Sequence, residues 1–183
     1  MVIQNKIYKV KIAIDETYTV ESTDNKHYDV VLNLENYHRS DWYKTLEITI
    51  YSDENEIRIA LIGDYYSYDM DCAILEEKVL TILQNNTITQ FNIEYGSLIL
   101  HKRFDCFGCN YGIYKIRGGY IIYGEVEIIK LDLDFNKKWS FSGSDIFVSY
   151  SGKNAFEICD KKIKLFDWED NYYEIDFDGK LME

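Results

Sequence analysis

The chain has 183 residues, with 32 acidic against 20 basic side chains, a formal charge of −12 and a sequence pI near 4.7. That length suits one ordinary domain or two small ones. The charge argues against nucleic acid and anionic membrane as partners, because both are held through basic side chains that displace counterions. Hydrophobic residues at 46%, aromatics at 16% with 17 tyrosines, and no proline exclude a disordered chain and favour strands.

In chain order, Lys6 to Asp15 sets Tyr8, Val10, Ile12 and Ile14 on one face and Lys9 and Lys11 on the other, a half-buried strand. Tyr18 to Glu21 is expected to pair back on it, Ser22 to Lys26 to turn, and His27 to Leu34 to form a third strand. Glu35 to Lys44 has no period and is taken as loop. Leu46, Ile48 and Ile50, then Ile57, Ile59 and Leu61, give a hairpin around the Ser52 to Asn55 turn. Gly63 to Asp71 is an aromatic-rich loop. Cys72 to Gln84 fits helical spacing as well as two short strands around Glu76-Glu77-Lys78; the repeat that follows favours the strands.

Three segments share one plan of short strand, turn, second strand, polar turn and long strand running into a tight hairpin. They begin at Cys72, Gly112 and Asp145, 40 and 33 residues apart, and occupy about 72–103, 112–141 and 145–182. Their hairpins close at Tyr95-Gly96, Phe135-Asn136 and Asp178-Gly179. The segments LDLDFNKKWSF and YYEIDFDGKLM resemble the outer hairpins of quinoprotein-type β-propeller blades. The resemblance implies propeller-like repeats over Cys72 to Met182 and carries no catalytic residue with it. A closed propeller normally needs at least four blades. Leu46 to Ile62 would have to serve as a degenerate fourth, or the repeats stack openly with the N-terminal strands against them. The expected fold is therefore all-β and antiparallel, a single body with N-terminal strands over 1–62 and the repeats over 72–182.

Cys106-Phe107-Gly108-Cys109 is the sharpest local motif, since thiols at that spacing chelate a soft metal or cycle through a disulfide. A strand pattern follows it, not the helix that would lower a thiol pKa. No second pair exists, so zinc would need His101, Cys72 or Cys159 brought in by the fold. A structural turn between repeats is the plainer expectation. Asp132, Asp134 and Asn136 open like a calcium loop, but Lys137 and Gly143 stand where a glycine and a bidentate glutamate are required, so an EF-hand is rejected. Gly118-Gly119 and Gly143 lack the following helix of a phosphate-cradling loop. No nucleophile or metalloprotease motif accompanies His27, His38 or His101. Tyr65, Tyr66 and Tyr68, interleaved with Asp64, Asp69 and Asp71, form an acidic, tyrosine-rich stretch suited to a basic protein partner if it is exposed.

The N-terminus alternates lysines with apolar residues and has no apolar run suited to a signal peptide. No window approaches the roughly 18 apolar residues of a membrane span. The expectation is a cytoplasmic protein with free thiols and no required cofactor. Three functions follow: a non-catalytic module that binds a basic partner as an immunity protein does, a structural repeat module, and a metal- or thiol-dependent protein centred on Cys106 and Cys109.

Overall fold

The computed structural model describes residues 1–53, 55–64 and 71–182, and among these every regular element is a strand. The chain divides into two compact units, Met1–Lys102 and Arg103–Glu183.

In the first unit, β1 (Val2–Gln4), β2 (Lys9–Ile14), β3 (Val30–Leu32), β4 (Lys44–Tyr51) and β5 (Glu56–Gly63) form one sheet in the order β1-β2-β4-β5-β3. Ile12 pairs with Ile48 and Ile48 with Ile59, so three apolar side chains stand in one row on the core face. One residue along, Lys11, Thr49 and Arg58 stand in the matching row on the opposite face, as the two-residue side-chain period requires. β6 (Ala73–Glu76), β7 (Val79–Gln84), β8 (Thr87–Asn92) and β9 (Ser97–Arg103) make a second sheet in sequence order. Its Leu80, Ile82 and Phe91 join Val10, Ile12, Leu46, Ile48 and Ile59 in one core. Phe91 is completely buried, which stabilises by roughly 1.5–3 kcal/mol for a side chain of its size.

The second unit holds β10 (Asn110–Ile116), β11 (Gly119–Gly124), β12 (Ile128–Leu131) and β13 (Lys137–Phe141), again an antiparallel four-stranded sheet in sequence order. A three-stranded sheet follows, β14 (Phe156–Cys159), β15 (Lys162–Phe166) and β16 (Tyr172–Asp176), with Leu181 bridging back to Ile175. Ile121, Ile128, Phe147, Ile163, Leu165 and Ile175 form its core. Three turns here are built alike. Asp132, Asp167 and Asp176 each accept, through Oδ1, the backbone N–H groups two and four residues on, at 2.8–3.1 Å. The residue three positions on, Phe135, Asp170 or Gly179, has φ of +59°, +63° or +79° and donates its N–H to the aspartate carbonyl. The calcium-like spacing at Asp132 thus serves a turn in which the carboxylate binds backbone amides.

Three sequence expectations are corrected. Tyr18 to Glu21 forms no strand: Asn25 binds Thr19 N and O, Tyr43 Oη accepts Val20 N–H, and Glu21 has φ of +67°. The strand within His27 to Leu34 is only Val30–Leu32, and it runs parallel to β5, the one exception to antiparallel pairing among the strand pairs described. Asp145 to Tyr150, read as the first strand of the third repeat, is a strap. Phe147 N–H donates to Glu125 O, Ile146 O accepts from Trp168 N–H, and the fully buried Phe147 ring plugs the core.

Candidate functional site

Cys106 and Cys109 lie on the loop between β9 and β10, both half-buried; these two, Cys72 and Cys159 are all reduced thiols. The loop is shaped by Gly108, with φ of +69° and so close to Val126 that a Cβ would lie 2.6 Å from its Cγ2. It is also held by hydrogen bonds from Phe107 N to Glu127 Oε1 at 2.7 Å and from Glu125 N to Cys109 O at 2.7 Å. Glu127 is 2% exposed and neutralised by Lys137, whose Nζ lies 3.1 Å from Oε2 and donates to Asp105 O at 3.2 Å. Burial pushes the Cys106 thiol pKa up; Glu127 and Asp105 add to this, and a hydrogen bond with Asn110 and the Lys137 charge oppose it. That is the reverse of the depressed pKa a redox or nucleophilic cysteine uses.

Both ring nitrogens of His101 are engaged. Gln84 Nε2 donates to Ile62 O, which turns the amide oxygen toward the Thr89 hydroxyl at 2.5 Å. Thr89 Oγ1 in turn meets His101 Nδ1 at 3.0 Å, and Nε2 faces Glu35 Oε1 at 2.9 Å. Among the described residues, no three His, Cys, Asp or Glu side chains are grouped so as to hold a metal ion.

Of the acidic, tyrosine-rich stretch, Tyr65, Tyr66, Tyr68 and Asp69 lie outside the described residues. Asp64 is half-buried, with Oδ2 taking a hydrogen bond from Asn85 Nδ2 at 2.9 Å, and Asp71 is exposed.

An exposed aromatic face does occur in the second unit. Tyr150, 78% exposed, and Trp168, 46% exposed, meet with ring centroids 5.3 Å apart. Phe166 and the partly exposed Tyr172 meet at 4.9 Å. The Asp167 turn fixes this face: Trp168 follows the fully buried Asp167, and its backbone N–H donates to Ile146 O at 2.8 Å. Glu169 and Asp170 stand exposed next to the indole; Asp170 is anchored by Ser151 Oγ at 2.9 Å and Lys153 at 3.3 Å. The signal for it in the sequence is Asp167-Trp168-Glu169-Asp170, a large aromatic at a turn tip among three carboxylates, which has no place in a motif of catalysis.

No protein-family model matches this sequence, and no curated protein is significantly similar to it. Among solved structures, the chain is similar to BamB from Moraxella catarrhalis, with a TM-score of 0.51 and 9% identity over 77% of this chain and 46% of that one. Hsv2 from Kluyvelomyces marxianus also matches, at a TM-score of 0.41 and 9% identity, covering 76% of this chain and 46% of that one. The chain thus spans less than half the length of either protein. What the likeness to BamB shows is the fold, an all-β arrangement of repeated antiparallel hairpin sheets of the β-propeller kind.

Proposed function

We propose that the chain is a non-catalytic protein-binding module that presents an acidic, aromatic face to a basic partner, in the manner of an immunity protein neutralising a toxin. One observation carries this: Tyr150 and Trp168 are exposed against each other beside the carboxylates of Glu169 and Asp170. Rigid aromatic rings supply contact area at low entropy cost, and neighbouring carboxylates steer a cationic surface toward them. The net charge of −12 extends the same attraction over a longer range. Four reduced thiols agree with a reducing, cytoplasmic setting.

The test compares capture of partners from cell extract by the native chain and by a Tyr150→Ala/Trp168→Ala variant, with identification of what is held at low and high salt. The expected result is a basic partner whose affinity falls about 30-fold or more in the variant, as loss of a central aromatic pair does, and falls again with salt. A principal partner that the variant holds equally well, or that is acidic, would overturn the assignment.

A scaffold role is the second reading, and β9 favours it. This strand ends its sheet and exposes Leu98 and Ile99 at 43% and 50%, a surface on which another strand or sheet can pair. Partner binding that is indifferent to salt and lost on Leu98→Lys would select it.

A further inference from the structure

We propose that the outer face of the first unit's five-stranded sheet holds a binding site for a compact oxyanion, a phosphate group carried either as the free ion or as a small monoester. The site is a cleft of about 240 Å³ lined by Lys11, Lys26, Arg58, Glu47, Thr49 and Tyr51. Its construction follows from the register. Lys11 pairs with Thr49 and Thr49 with Arg58, so the two cations flank one small side chain on the same face of three adjacent strands. Neighbouring strands lie about 4.8 Å apart, which sets the two backbones roughly 10 Å apart and lets two long side chains converge above Thr49. Tyr51 and Glu47, each two residues from Thr49 on β4, flank it on that face.

The lining supplies donors, and its carboxylate is already committed. Glu47 Oε2 is 2.6 Å from Lys26 Nζ, which also reaches Asp15 at 3.2 Å. Arg58 gives its Nε–H to Glu56 at 2.7 Å. A guanidinium has five N–H donors in a planar fork that matches phosphate, so this pairing fixes Arg58 and leaves most of its donors free. Lys11 makes no ion pair among the described residues. Of the three cations, Lys26 is paired with Glu47 and Asp15 and Arg58 with Glu56, so Lys11 and the remaining N–H donors of Arg58 are what the cleft offers an anion. The site is independent of the aromatic face, which belongs to the other unit and attracts the opposite charge.

The test is calorimetric titration of the full chain with inorganic phosphate and, separately, with phenyl phosphate, in a chloride background. The native chain is expected to bind saturably, and Lys11→Gln and Arg58→Gln each to weaken binding about tenfold or more, the loss of one charge-assisted hydrogen bond. Lys11→Arg keeps the charge and is expected to retain binding, and Lys161→Gln, in the other unit, to leave it unchanged. Tighter binding of the monoester identifies an esterified ligand, and equal binding identifies the free ion. Absence of saturable binding with both probes, or binding that survives both glutamine substitutions, would overturn the site.

Discussion

Asp15 shows how one buried carboxylate organises a loop that has no regular structure of its own. It is 7% exposed, just past the end of β2. Its Oδ1 accepts from Thr17 N at 3.0 Å and Thr17 Oγ1 at 2.6 Å, and its Oδ2 from the Tyr28 hydroxyl at 2.6 Å, with Lys26 at 3.2 Å. Burial alone would raise its pKa, but the hydrogen bonds from Thr17, Tyr28 and Lys26 together outweigh that and hold it at about 2. A folded pKa below the unfolded value means that the stabilisation is present above about pH 4 and is lost as pH falls toward about 2. It amounts to roughly 2 kcal/mol at neutral pH. Asp15→Asn is therefore expected to lower stability by about that much at pH 7, with the gap from the native chain closing between about pH 4 and pH 2, as read by urea denaturation across that range. A gap constant with pH would mean that shape and not charge holds the loop. Alternation in the sequence places Ile12 and Ile14 beside Asp15 but gives no sign of its role. Two of its partners, Lys26 and Tyr28, are 11 and 13 residues away and reach it only once the loop has folded back.

At the level of elements, alternation proved a good guide to where strands lie and a poor one to how they pair. Ile129 and Leu131 against Lys130, and Ile175 against Glu174 and Asp176, mark β12 and β16 directly. The turns after them were legible too, since Phe135-Asn136 and Asp178-Gly179 fall where φ turns positive. Asp145 to Tyr150 misleads because its Ile, Phe and Val report burial, while its backbone hydrogen bonds join the ends of other elements and no strand ladder. The parallel run of β3 was not legible, because a period of two is blind to strand direction. The shared aspartate turn permits a graded test. Asp167 is fully buried and also accepts from Asn171 Nδ2 at 3.0 Å and the Tyr173 hydroxyl at 2.8 Å, whereas the Asp132 side chain is 29% exposed. Asp167→Ala leaves buried donors unpaired and is expected to cost roughly 3 kcal/mol; water can replace the carboxylate in Asp132→Ala, which is expected to cost roughly 1 kcal/mol. Chemical denaturation of the two variants measures both. Equal costs would show that turn geometry, and not buried hydrogen bonding, sets the contribution.

At the scale of the whole molecule, the propeller-like character was visible in two acidic hairpins, but the division of the chain was not. The N-terminal sheet completes its core with the first repeat, through Leu80, Ile82 and Phe91, and the second and third repeats share another core around Phe147 and Leu165. Sequence spacing presents the three repeats as equivalents, because a period records similarity between segments and is silent about which segment's apolar face each one covers. The candidate partner face was not legible, for a related reason. Tyr150 and Trp168 are 18 residues apart and become one surface only through the strap and the Asp167 turn. The core described in each unit predicts that each carries its own cooperative transition. In scanning calorimetry, Asp15→Asn is expected to lower the midpoint of one transition and leave the other in place, and Asp167→Ala to do the reverse. With a cost of 1 kcal/mol moving the midpoint of a unit of about 100 residues by roughly 4–8 °C, each displacement is well within measurement. A single transition that both substitutions lower would instead show that the two cores melt as one cooperative body, and the stability of each binding surface would then depend on both halves of the chain.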